Sequence, residues 1–576
     1  MKNEATPLEM KETKINNEMN SPALGLLADF IASDEIASAL KGIRRGIERE
    51  MVRVSADGAL SERAHPSALG AALTHPYITT DFAEAQLELV TPAHTERSET
   101  FNTLASLHHF VATHLEDDET LWAASMPPRL ADDGSIAIAD YGTSNKGMMK
   151  TRYREGLANR YGKRMQLISG IHYNFSLPNS FWEALHRYSN SEQPLESFIS
   201  ERYFHLIRNV LRHGWIIPYL FGASPAVDKS YLQAKPDALT PNPLMSWNET
   251  TDYLPWATSL RLSSLGYGNS EQADYPISYN TKDAYLTGLC HALTKPSKHY
   301  AHLSDEQQLN SAVLQLENEL YGSVRPKIVN AKMRPLAAMC HYGIQYIELR
   351  SLDNNPMLPL GIDELQSQFL DLFLIYSALA PSPEMSEKEQ KLIMERQELV
   401  ATQGRKPGLM LPTLSGTMSL IDLAEPLLDA LEEMAITIGN PHQGDDYMRA
   451  VLREKAKIAD STLTPSAQVL ANMEKQNQSH TAFTYARSQQ HGKGYRDDIL
   501  TVDEMSKLES LATASLHKQQ QLEAMPEMRF DDYVAQKSIT DCDACPDTPI
   551  PRSKMQDIIK AASSMPSKLT LSKVAS

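Results

Sequence analysis

Cysteine is scarce: the 576 residues contain four, Cys290, Cys340, Cys542 and Cys545. So few thiols do not make a disulfide framework, and the expected location is the cytoplasm. Positive charge is also short. Lys and Arg number 55 against 72 Asp and Glu, a net charge of −17. That balance argues against a nucleic-acid or anionic-membrane partner. The most apolar stretch, Phe369 to Ala380, is too short to span a bilayer and carries Asp371, so a buried helix is expected there. The first residues mix Lys2, Glu4, Glu9, Lys11, Glu12 and Lys14 without an apolar core, so no signal peptide is expected. Several familiar sites are missing too: a G-x-x-x-x-G-K-S/T phosphate loop, a G-x-G-x-x-G turn after a strand, H-E-x-x-H and G-x-S-x-G. Hydrophobic content of 42% and charged content of 22% are those of an ordinary globular protein.

What is present is a set of segments with period-two patterning. Gly46 to Val54 reads as a strand with Glu48, Glu50 and Val52 on one face. Asp81 to Val90 reads the same way, with Glu84, Gln86 and Glu88 together and Asp81 at its entrance. Ile171 to Leu177 puts His172, Asn174 and Ser176 on one face, and Pro178 ends it. Ile344 to Leu352 puts Tyr346, Glu348 and Arg350 on one face. Val313 to Tyr321 alternates more weakly and leads to Arg325-Pro326-Lys327. Between these lie expected helices over 22–41, 98–115 (with Ser98 as N-cap), 150–164 and 204–220. The loop Tyr141 to Gly147 could offer backbone N–H groups to an anion, although such loops are more often plain turns. From Ile362 to Gln521 helical periodicity dominates.

If the strands share a sheet, Glu48, Glu50, Asp81, Glu88 and Glu348 converge with His172 and Arg350. A folded chain does not hold five carboxylates together unneutralised. Mg²⁺ resolves this, because it takes oxygen ligands and shares itself between carboxylates and phosphates. Arg350 beside Glu348 would then face a transferring phosphoryl group. The residues alone leave phosphoryl transfer and a structural ion-pair network both open.

Seven blocks, in order, resemble the proteobacterial glutamate–cysteine ligase family: Arg45 to Glu50, Ile78 to Glu84, Tyr141 to Asn145, Arg154 to Leu157, Gly170 to Ser176, Pro218 to Pro225 and Tyr346 to Asp353. The resemblance implies an α+β fold: a glutamine-synthetase-like curved antiparallel sheet forming a funnel, surrounded by helices, with a helical C-terminal half. It implies ATP-dependent ligation of the γ-carboxylate of L-glutamate to the amine of L-cysteine through a γ-glutamyl phosphate. It implies Glu48, Glu50, Asp81, Glu88, His172 and Glu348 as ligands of two or three Mg²⁺ ions, with Mn²⁺ able to substitute. Arg350, Glu348 and Glu48 take the catalytic roles, and Asn174 and Arg350 meet the nucleotide. Arg154 and Arg261 clamp amino-acid carboxylates. Phe82, Tyr153, Leu157, Tyr267 and Tyr321 form the cysteine pocket, and Gln166 and Ile168 are further substrate-binding residues. Glutathione is the expected feedback inhibitor, and a monomer the expected state. The alternative is a related ligase with another amine acceptor.

The ends depart from the family pattern. Residues 1–21 are expected to be a flexible extension, 22–536 the catalytic domain (sheet core 42–353, helical region 362–521) and 537–576 a flexible tail. The tail's Cys542-Asp543-Ala544-Cys545 lacks a partner motif for zinc, so two exposed thiols are expected.

Overall fold

In a computed structural model of the chain, the described residues are 28–233, 243–266, 275, 277–329, 333–497, 500–538 and 549–550. The strands are β1 (Arg44–Val54), β2 (Ile78–Thr80), β3 (Gln86–Val90), β4 (Thr120–Leu121), β5 (Ile171–Ser176), β6 (Ala226–Asp228), β7 (Met245–Ser246), β8 (Thr251–Tyr253), β9 (Val324–Lys327), β10 (Tyr346–Leu352), β11 (Met410–Thr413) and β12 (Gly416–Ser419). The helices that matter for the site are α1 (Arg97–His114), α2 (Asn145–Tyr161), α3 (Leu195–His213), α4 (Lys282–Thr294), α5 (Pro335–Tyr342), α6 (Glu364–Leu379), α7 (Leu420–Ile438), α8 (Tyr447–Ala459), α9 (His480–Asp497) and α10 (Val502–Glu523).

The main sheet has the order β2-β3-β1-β5-β10-β9, with β4 attached to β1. Every pairing in it is antiparallel. One face is apolar: Ile47, Leu87, Leu89, Tyr173, Phe175, Ile347 and Leu349 are all buried in the largest core cluster. Helices α1, α3 and α6 pack on the strands or on one another behind this face. The alternation that buries one set of residues sends the other set, including Glu48, Glu50, His172 and Glu348, to the opposite face. The architecture is α+β, with sheets and a helical C-terminal half.

The apolar stretch around Phe369 is the buried helix α6, as expected. Asp371 survives inside it because Arg45 (2.8 Å) and Arg97 (2.6 Å) neutralise it and the Tyr173 hydroxyl donates to it at 2.8 Å. Arg49, between the two glutamates of β1, faces the same interior and donates to Asn354 Oδ1 (2.9 Å) and the Pro359 carbonyl (2.7 Å).

Several expectations are corrected. The segment 81–85 turns before β3 begins, so Glu84 leaves the strand face and accepts from the His65 N–H at 2.8 Å. Val313 to Tyr321 is not a strand: it carries a 3₁₀ turn at Glu317–Glu319, fixed where Glu319 meets Arg160 at 3.0 Å and the Tyr161 hydroxyl at 2.6 Å. Helix α1 starts one residue before Ser98, with Glu96 at the cap position. The helix expected over 204–220 is two, α3 and a short helix Ile216–Phe221. The loop 141–147 caps α2 through Ser144, and its N–H groups serve the chain's own carboxylates: Thr143 donates to Glu523 (3.1 Å) and Asn145 to Glu527 (2.6 Å). The four cysteines make no framework, yet Cys290 on α4 and Cys340 on α5 are disulfide-bonded. Cysteine counts along a chain carry no information on which sulfurs the fold brings within reach. Cys542 and Cys545 lie outside the described residues.

Candidate active site

Strand register brings the ionisable residues together. Glu48 pairs with His172 across β1–β5, Glu50 with Glu88 across β1–β3, and Glu348 with Asn174 across β5–β10. Directly opposed residues share a face, so one surface of the sheet carries all of them. His172 Nδ1 lies 3.1 Å from Glu48 Oε2 and 3.8 Å from Glu348 Oε1, and its Nε2 lies 3.4 Å from Glu50 Oε1. One ligand atom from each of Glu48, His172 and Glu348 falls within a 4.8 Å set. Asn174 Nδ2 donates to Glu48 Oε1 at 2.8 Å, and Glu50 Oε2 accepts from the Gly170 N–H at 2.8 Å.

The sheet also supplies cations. Arg350 lies 3.3 Å from Glu348 Oε2 and within 3.5 Å of His172 Nδ1. Lys327 Nζ lies 3.1 Å from Glu348 Oε1, and Arg325 sits opposite Glu348 on β9. Arg325 and Lys327 are two residues apart, the same spacing that marks the other strands, and this was the available signal for them.

Electrostatics divide the carboxylates. Burial pushes Glu88 well above the usual carboxylate range, and Glu48, Asp81 and Glu50 add to the push. Burial raises Glu50 despite His172. Burial also opposes ionisation of Glu348, yet Lys327, Arg350, His172 and Arg325 together hold it well below the usual range. Glu48 is lowered too: burial raises it, but the His172 hydrogen bond and charge outweigh that. One subset is thus stably anionic, and the other is short of positive charge.

These residues line a cleft of about 740 Å³. Asp81, Phe82, Tyr153, Arg154, Leu157, Gln166 and Tyr321 line it as well. Arg154 is pinned by hydrogen bonds to the Asp81 and Lys150 carbonyls and stacks on Tyr141 at 4.6 Å. Gln166 Nε2 donates to the Tyr321 hydroxyl at 3.2 Å. Three expected residues stand apart from the lining, and one of them, Asn174, keeps its amide on Glu48. Ile168 is buried in a separate apolar cluster with Met165 and Leu260. Arg261 is buried behind Gly170, 3.6 Å from Asp353, and donates to the Arg350 carbonyl at 2.8 Å. Tyr267 lies outside the described residues.

The donor set suits a hard divalent cation. Glu48, Glu50, Glu88 and Glu348 offer oxygen ligands and His172 one nitrogen, and Glu348 Oε2 is buried with no hydrogen bond, its ion-pair partner Arg350 3.3 Å away.

The family model for glutamate–cysteine ligase matches residues 28–400. A glutamate–cysteine ligase of Azotobacter vinelandii is 44% identical over 507 residues, 86% of this chain and 94% of that protein. One of Pseudomonas aeruginosa PAO1 is 42% identical over 500 residues, 85% of this chain and 93% of that protein. The crystal structure of the Francisella tularensis glutamate–cysteine ligase in complex with AMP is similar with a TM-score of 0.79 at 33% identity, covering 86% of this chain and 97% of that one.

Proposed function

The chain belongs to the bacterial glutamate–cysteine ligase family, and from that premise we propose how its cleft works. It is an ATP-dependent ligase that joins glutamate and cysteine into γ-glutamylcysteine. A carboxylate is inert to amines until one oxygen becomes a leaving group. ATP therefore phosphorylates the glutamate γ-carboxylate, and the cysteine amine displaces phosphate from the acyl phosphate.

Glu48, His172 and Glu348 would hold one divalent cation, and Glu50, Asp81 and Glu88 a second or third. Bound there, Mg²⁺ or Mn²⁺ supplies charge neutralisation for the triphosphate. Arg350 donates its planar fork to the transferring phosphoryl group, where such a donor is worth about 2.7–4 kcal/mol in the transition state. Asn174 fixes Glu48 and faces the nucleotide. Arg154, and Arg261 from behind Gly170, orient the substrate carboxylates. Phe82, Tyr153, Leu157, Gln166 and Tyr321 form a small, largely aromatic pocket for the thiol side chain, with Tyr267 as a further contributor and Ile168 in the apolar cluster that Tyr321 packs against. Glutathione carries the same γ-glutamyl group and competes with glutamate. The sheet curves into a funnel around this cleft. Residues 22–536 act as one catalytic unit in the cytoplasm, with 1–21 and 537–576 as appendages, and the working state is a monomer.

The observation that carries this reading is the convergence of Glu48, His172 and Glu348 within 4.8 Å, with Arg350 on the same strand face. The test is ADP release with each substrate omitted in turn. Release is expected only when ATP, glutamate, cysteine and a divalent cation are all present. Full turnover after exhaustive chelation would sink the metal assignment. Equal rates with ammonia in place of cysteine would sink the acceptor assignment.

A further inference from the structure

The disulfide between Cys290 on α4 and Cys340 on α5 joins two buried residues of the largest core cluster. The chain that runs from one to the other includes the segment Val313 to Tyr321, and both helices hold that segment. The Val313 N–H donates to the Lys295 carbonyl at 3.0 Å and the Leu314 N–H to the Ala292 carbonyl at 2.9 Å, which fastens its start to the end of α4. Glu317 fastens its middle to the start of α5: the carboxylate accepts from the Leu336 N–H at 3.3 Å and from Arg334 at 2.8 Å.

This segment forms one wall of the cleft, where Leu316, Asn318, Glu319 and Tyr321 line it. Leu316 packs on the apolar cluster that contains Phe82, Tyr153 and Leu157, three residues of the proposed thiol pocket. Gln315 presses on α2 at Gly156, where a Cβ would meet its Oε1. Tyr321 accepts from Gln166 at 3.2 Å. The 3₁₀ turn at Glu317–Glu319 is too short to hold such a wall by itself, so the position of the wall follows what it is fastened to. Apolar packing lets helices slide by small shear movements, whereas a disulfide fixes the separation of the two Cα atoms it joins. A wall anchored on both α4 and α5 inherits that fixed separation.

We propose that the Cys290–Cys340 disulfide is a positioning device for the thiol pocket. By locking α4 to α5 it sets the distance between the 313–321 wall and α2, and with it the affinity for the acceptor amino acid. The claim rests on the reading of this pocket as the cysteine site. Neither cysteine lines the cleft, so the effect is indirect and falls on acceptor binding, not on phosphoryl transfer.

The test uses the full chain with L-2-aminobutyrate as acceptor, which carries a methyl group where cysteine carries its thiol and so probes the pocket without reducing the bond. The variants are Cys290→Ala/Cys340→Ala and Cys290→Val/Cys340→Ala, the second of which refills the lost volume, with thermal melts to confirm folding. Peptide mapping of the wild type without reductant is expected to show Cys290 and Cys340 linked, and free thiols there would overturn the proposal. In both variants the KM for aminobutyrate, from ADP release, is expected to rise about tenfold, the scale of one lost apolar contact in a small pocket, while kcat and the KM for glutamate stay within about twofold. A disulfide that serves stability alone would lower the melting temperature and leave that KM unchanged; this result, or variants that do not fold, would overturn the proposal. Tyr321→Ala, with the bond intact, tests the pocket by itself: an unchanged KM for aminobutyrate there overturns the cysteine-pocket reading, and the proposal with it.

Discussion

Replacing Lys327 with methionine separates what the metal-free site needs from what the loaded site needs. Lys327 Nζ lies 3.1 Å from Glu348 Oε1, and both side chains are largely buried, at 27% and 2% exposure. At an effective dielectric of about 20, a pair at that distance attracts by roughly 5 kcal/mol. The lysine lost solvation to reach this position, and Glu348 keeps Arg350 at 3.3 Å and His172 at 3.8 Å. The net cost of Lys327→Met in the metal-free protein is therefore about 1–3 kcal/mol, the usual range for removing one partner of a buried polar group. The methionine keeps most of the aliphatic stem, so packing changes little. With a divalent cation the sign of the effect reverses. Lys327 occupies one oxygen of Glu348 and repels the incoming metal, so its removal should tighten metal binding by about tenfold, or 1.4 kcal/mol. Urea melts in EDTA and across a Mg²⁺ titration measure both quantities on one protein. A variant as stable as wild type in EDTA, or one less stabilised by Mg²⁺ than wild type, would refute the reasoning.

Further outcomes follow from other parts of the structure. Glu348→Gln should weaken metal and nucleotide together, whereas Arg350→Lys should slow turnover by about 10²–10³ with near-normal KM; a raised KM for ATP with kcat intact would make Arg350 a ground-state contact. Gly170→Ala places a Cβ against the Arg261 guanidinium, so the KM for glutamate should rise; an unchanged KM would remove Arg261 from substrate binding. Burial pushes His75 and His480 down to about 4, so the unfolded chain takes up protons below its ordinary value of 6.5 that the folded chain refuses. Stability should therefore fall as pH drops from 6.5, by about 2 kcal/mol per histidine at pH 5. His75→Asn should flatten that slope in melts from pH 7 to 5, and an unchanged slope would count against it. Glutathione should raise the apparent KM for glutamate without lowering kcat, and inhibition indifferent to glutamate concentration would exclude a shared pocket.

Period two along the chain determined which residues share the sheet's polar face. Glu48 and Glu50, His172 and Asn174, and Glu348 and Arg350 each sit two apart on a strand, and strand geometry sends such pairs to one side wherever the strand lies. The apolar run with one aspartate determined α6. Alternation could not reveal where a strand begins. Glu84 continues the pattern of Glu88 on paper, but the turn before β3 diverts it to His65. It also could not rank neighbours: Arg325 and Lys327 look like a strand end, and only pairing with β10 puts them against Glu348. Arg261 shares its residue type with Arg154, yet burial beside Asp353 keeps it behind the lining. The two disulfide-bonded cysteines, Cys290 and Cys340, carry no local mark. Local periodicity is set by the backbone of one segment. Charge clusters, long-range contacts and disulfides depend on which distant segments the fold places together, and that only the tertiary structure decided.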